Sequence, residues 1–221
     1  IISSTKREDH RIEFLAQRKI PFIALGRSLT DAGHPWLDLD FEGMAETGVS
    51  RLIAKGHRRI GIYAPVDDIN LGFILIESYR RTLERHGIAF DPDLIFRAYP
   101  NERGGHQVAT AIAAMPDGKR PTGFVLANEV MSVGLYSGLY KAGLAPGKTF
   151  AIIGRDSPQA HYLVPKLTCF TMSLRELGIA LAEGLLATMP DYARTYPLGV
   201  VRRVVPLTLV EGDSDVPPPA A

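Results

Sequence analysis

Two short loops hold the side chains best suited to grip a polar small molecule: Ala127-Asn128-Glu129 and Arg155-Asp156-Ser157-Pro158. Each follows an apolar run, GFVLA or AIIG. An ionised Asp156 can only accept hydrogen bonds, which suits a pair of neighbouring hydroxyls. The same residue also suits an Asx turn ahead of Pro158. Asn128 carries an amide that could bind a hydroxyl or cap the following helix. Arg155 has three readings: pairing with Asp156, facing solvent, or meeting an anionic ligand. Tyr99 offers a platform for a sugar ring or simply a packing surface. Asn70 shares a polar loop with Asp67 and Asp68, where loop polarity competes with ligand contact as the explanation.

Other chemistries lack their residues. The sequence has no GxSxG elbow, P-loop, HExxH or paired cysteines. Gly104-Gly105 opens a helix but without the GxGxxG spacing of a dinucleotide site. The six histidines include no i,i+3 or i,i+4 pair that would suggest a metal. Cys169, the single cysteine, sits inside LTCF, where a small buried hydrophobe is expected rather than a nucleophile. The reading is therefore a non-enzyme with no cofactor and no metal. One unpaired cysteine suits a reducing cytoplasm. With 25 Lys and Arg against 24 Asp and Glu, the net charge of +1 gives no electrostatic reason for these residues to contact DNA. No apolar run approaches the ~20 residues of a membrane-spanning helix.

The loops need elements to hold them. Short apolar strands alternate with single amphipathic helices. Strands are expected at Pro21–Leu25, Leu37–Asp40, Arg59–Ala64, Leu94–Ala98, Gly123–Ala127, Phe150–Ile153, Leu167–Phe170 and Val204–Leu209. Helices are expected at Glu8–Lys19 and Phe41–Lys55, after the polar loop Pro65–Asn70 through Leu83 and Arg85 to a stop at Gly87, and at Gly104–Met115, Glu129–Ala142 and Leu174–Met189. This beat implies right-handed crossovers and mostly parallel sheets, with ligands beyond the carboxyl ends of the strands. Ile1-Ile2 reads as the end of a buried strand running into a loop. EGDSDVPPPAA, at 211–221, reads as a disordered tail.

Five stretches together resemble the LacI/GalR family. They are PFIALGR from Pro21, DLDFEGMAETGVSRLIAKGHRRIGIYAP from Asp38, ESYRRTLERHGI from Glu77, RPTGFVLANEVMSVGLYSGLYKAGL from Arg120, and AIIGRDSPQAHYLVPKLTCFTMSLRELG from Ala151. The resemblance implies an α/β fold of two periplasmic-binding-protein-like lobes with parallel sheets, the N-terminal lobe incomplete. It divides the chain into 1–39 and 173–196 for the N-terminal lobe, and 40–172 and 197–210 for the C-terminal lobe. Asn128 and Asp156 fall on positions that hold sugar hydroxyls in the family, whereas Leu75, Arg155, Ser157 and Met172 depart from its pattern. Leu75 stands where an arginine often clamps the ligand. The expected function is effector sensing for a LacI-type transcription regulator. The expected ligand is a small hydroxylated compound, a sugar or polyol. The expected assembly is a cytoplasmic homodimer that reaches DNA through an upstream helix-turn-helix. The alternative is a transporter-associated periplasmic sugar-binding protein.

Overall fold

The computed structural model describes residues 1–219. In chain order the elements begin with α1 (His10–Gln17), β1 (Ala24–Leu25), β2 (Trp36–Leu39), α2 (Phe41–Ala54), β3 (Ile60–Pro65) and α3 (Asn70–Arg85). Next come β4 (Ile95–Ala98), α4 (Glu102–Ala114), β5 (Gly123–Val125), α5 (Met131–Lys141), β6 (Ala151–Arg155) and β7 (Thr168–Thr171). The series ends with α6 (Leu174–Leu186), β8 (Arg202–Val205) and β9 (Thr208–Val210).

These elements form two units. Unit 1 is Ile1–Asp40, Asp68–Phe73 and Met172–Leu207; unit 2 is Phe41–Asp67, Ile74–Thr171 and the residues from Thr208 onward. Unit 1 holds a parallel sheet in the order β1-β2-β8, and Ile2 adds a parallel bridge to Ala24 at its edge. Unit 2 holds a sheet in the order β4-β3-β5-β6-β7-β9. Its first five strands run parallel, and β9 pairs antiparallel with β7.

All six residues of β3 are buried, as a strand covered by helices on both faces requires. The helix α2 presents Phe41, Met44, Ala45, Gly48, Val49, Leu52 and Ile53 to the core at helical spacing. Gly48 packs this helix against Val125 of β5 and Ile153 of β6. The chain leaves α2 through Gly56, whose φ of +103° few other residues adopt. Between α4 and α5 the contact is closer still. Gly105 lies against the Met131 carbonyl, Gly134 against the Glu102 carbonyl, and Gly138 against Ala109 and His106, with no room for a Cβ.

Three expectations change. Val204–Leu209 is two strands rather than one, β8 in unit 1 and β9 in unit 2. Pro206 lies between them and has no N–H to continue a ladder. Residues 197–207, expected in the C-terminal lobe, accordingly belong to unit 1, where β8 pairs with β2. The segment after β9, expected to be disordered, is held down; its last two residues lie outside the described residues. Ser214 Oγ accepts from Thr168 N–H and donates to the Ile152 carbonyl. The Asp215 carboxylate is buried and meets Arg51 at 2.5 Å, Lys55 at 3.1 Å and the Thr168 hydroxyl at 2.6 Å. Its pKa is drawn up by burial, yet the hydrogen bonds from Thr168, Arg51 and Lys55 outweigh that and leave it lowered.

The fully buried His57 completes this strap. Its Nδ1 bonds the Thr122 hydroxyl and its Nε2 the Val216 carbonyl, both at 2.8 Å. Burial lowers its pKa below the ordinary 6.5. A folded pKa below the unfolded one means the stability contribution is complete above pH 6.5 and drains away as acid charges the ring. The urea midpoint therefore falls between pH 7.5 and pH 5.5, and His57→Gln makes that fall shallower. An identical slope in the variant would assign the acid sensitivity elsewhere.

Candidate functional site

The carboxyl ends of β5 and β6 are neighbours in the unit 2 sheet, and they bring Asn128, Glu129, Arg155 and Asp156 to one edge. Asp156 directly follows β6, with its backbone N–H bonded to the Phe170 carbonyl at 3.0 Å. Its Oδ1 meets His161 Nε2 at 2.9 Å and its Oδ2 accepts from the Thr171 hydroxyl at 2.9 Å. The side chain stays 30% exposed, so each oxygen keeps a lone pair for a further donor. Beside it, under the one-turn helix Ala160–Tyr162, lies a cavity of about 310 Å³.

Arg155 neither pairs with Asp156 nor faces solvent. Its Nη1 bonds Glu129 at 3.2 Å, and the guanidinium lies over the Phe41 ring at 5.4 Å. The side chain is only 11% exposed, and its Nε is buried with no partner among the described residues. Pairing with Glu129 rather than Asp156 leaves the Asp156 charge to His161 and Thr171. Glu129 and Asp67 also help burial push the Tyr63 hydroxyl up to about 12, with burial the main cause. Among Asp67, Glu129, Arg155 and Asp156 the charge is thus more acidic than basic, which favours neutral hydroxyls over an anion between β5 and β6.

Asn128 behaves as a cap. Its Oδ1 accepts from the Val130 and Met131 N–H groups, both at 3.1 Å, at the start of α5. The amide nitrogen is left for other partners. Tyr99 is 60% exposed, contrary to the packing alternative, and follows β4. That strand is three positions from β6 in the sheet, about 14 Å at the usual spacing, so Tyr99 stands apart from Asp156. Asn70 is buried in unit 1, donating to the Arg27 carbonyl at 2.9 Å while its N–H bonds the Thr5 carbonyl at 2.8 Å. This is a structural brace. Leu75 is fully buried in the core and cannot replace a ligand clamp.

Sequence reasoning missed His161, Thr171 and Glu129. His161 is five residues beyond Asp156, in the one-turn helix Ala160–Tyr162 that Asp156 precedes but does not join, so no single periodic element links the two. Thr171 ends β7, the neighbouring strand, and only the sheet order reveals it. Glu129 had a local signal, since it follows Asn128 at a strand end.

The sequence matches the family described as periplasmic binding protein-like domain over residues 49–214, well over half of the chain. The chain belongs to this family. Its relatives place this periplasmic-binding-protein-like domain among the effector-binding domains of LacI/GalR regulators. It is 26% identical to the HTH-type transcriptional regulator AglR of Rhizobium meliloti, over 84% of this chain and 53% of the relative. The chain spans about half the length of the curated relatives it matches. It is 28% identical to the crystal structure of a LacI-family regulatory protein from Chloroflexus aggregans, with a TM-score of 0.82 over 96% of this chain and 74% of that one. A LacI-family regulator from Enterococcus faecium, solved with bound ribose, shares the fold at a TM-score of 0.78 and 24% identity, over 93% of this chain and 74% of that one. These similarities bear out the two-lobe α/β reading. Among the described residues no helix is long and apolar enough to cross a membrane.

The cap on α5 gives a direct test. Asn128→Ala should cost about 1 kcal/mol of stability, and Asn128→Asp or Asn128→Ser should restore most of it. Chemical denaturation measures this, and an alanine variant as stable as the parent would mean the cap contributes nothing.

Proposed function

We propose that this domain senses a small hydroxylated ligand, a sugar or polyol, on behalf of a LacI-type transcription regulator. The Asp156 carboxylate carries the reading. It stands at the carboxyl end of a parallel strand, where ligands bind in open α/β sheets, and it is braced by Thr171 and His161 with accepting capacity to spare. Asn128 follows the neighbouring strand β5, and its amide is held by the capping bonds of its oxygen, which leave its nitrogen to donate. Arg155 acts at one remove, by neutralising Glu129 and tying that loop to Phe41. Tyr99 and Asn70, proposed from sequence as ligand contacts, have weaker support: one stands at a distant strand and the other braces backbone.

In this reading the domain is a ligand-binding switch and not an enzyme, working in the cytoplasm as a homodimer. DNA contact falls to a helix-turn-helix in another part of the regulator. A two-fold dimer suits regulators that read paired half-sites. Ligand binding then shifts the population between DNA-binding and non-binding states. The bound ribose of the Enterococcus faecium regulator agrees with a sugar as the ligand class. Regulators among the relatives favour this reading over a transporter's periplasmic sugar-binding protein.

A thermal-shift screen against sugars, polyols and sugar phosphates identifies the ligand, since binding to the folded state raises the unfolding midpoint. Asp156→Ala then weakens calorimetric affinity for that ligand by roughly tenfold or more, the worth of a charged hydrogen bond, while the fold persists. Unchanged affinity in the variant would remove Asp156 from the site.

A further inference from the structure

The cavity beneath Ala160–Tyr162 has two kinds of wall. Ala160, Leu167 and Cys169 are buried and form an apolar interior with Val210 of β9, while His161 and Lys166 are exposed beside Asp156 at its mouth. At about 310 Å³ it far exceeds the roughly 30 Å³ that one water occupies, so it suits an organic molecule rather than an ion. An apolar interior of this size gains from being filled.

The polar groups at the mouth are unequally satisfied. Both oxygens of Asp156 are held, by His161 and Thr171, and what capacity remains to them is for donors and not for an anion. His161 has its Nε2 committed to that carboxylate. The Lys166 ammonium alone forms no hydrogen bond or ion pair among the described residues, and its compact charge takes a carboxylate from any direction. We propose that this cavity binds a compact amphiphilic carboxylate, its apolar body against Leu167, Cys169 and Ala160 and its charge on Lys166. This goes beyond effector sensing, and its test uses Lys166 and Cys169, neither of which is placed on the hydroxylated ligand.

The single cysteine reports occupancy. Cys169 is free and 8% exposed, with its thiol pushed up to about 11 by burial first and by the Asp156 charge second. A thiol reagent therefore labels it slowly, and anything seated in the cavity slows labelling further. The probes are benzoate, benzyl alcohol and benzylamine, which share a ring and differ in charge. With benzoate at about ten times its Kd, labelling slows about tenfold, whereas benzylamine at the same concentration, which the Lys166 charge repels, slows it less. Lys166→Gln slows the probe-free labelling somewhat, because the Lys166 charge lowers the thiol's pKa, and loses the further protection by benzoate. Val210→Trp, which fills the cavity from its exposed side, abolishes the benzoate-induced rise in thermal midpoint. The proposal is overturned if benzoate leaves the rate unaltered, if all three probes protect equally, or if Lys166→Gln is still protected.

Discussion

Because β3 to β7 of unit 2 all run in one direction, every strand must be left and re-entered by a crossover, and every strand's carboxyl end opens into a loop on the same edge. That constraint gathers Asp67, the pair Asn128 and Glu129, and the pair Arg155 and Asp156 from three separate stretches of the chain. It also decides which can cooperate. Asn128, Glu129, Arg155 and Asp156 follow adjacent strands, whereas Tyr99 follows the edge strand β4. Sheet order, more than side-chain type, separates the two groups.

Charge pairing then refines what the edge offers. Arg155 is drawn onto Glu129 and the Phe41 ring, and His161 with Thr171 holds Asp156 in one orientation. A fixed carboxylate is a better grip for hydroxyls than a mobile one, because less rotamer freedom is lost on binding. The same pairing leaves Lys166, among the described residues, as the cation without a partner beside the apolar cavity.

Much of the architecture was legible from the residues. The spacing of Met44, Gly48, Leu52 with Ala45, Val49, Ile53, stopped by Gly56, could only be a helix facing a core, and the structure buries those positions. Asn128 showed both of its uses at once, since a strand end and a helix start coincide there. What was hidden depended on partners far along the chain. The DSDVPPP segment has the composition of a disordered tail, and its order comes from Arg51, His57 and Thr168, none of which announces a bond to residues 214–216. Arg155 was legible as a charge but not as a partner of Glu129, because β5 and β6 had first to be placed side by side. Pro206 was the overlooked punctuation in Val204–Leu209.

The glycine seam between α4 and α5 has a mechanical side. Where Gly105, Gly134 and Gly138 bring two backbones into contact, no side-chain cushion remains to be compressed or sheared. The two helices must translate and tilt as one plate. A loop seated at the head of α5, as Asn128 and Glu129 are, is thus bolted to a stiff lever, and a displacement of that loop carries undamped to α4 on the far side of the seam.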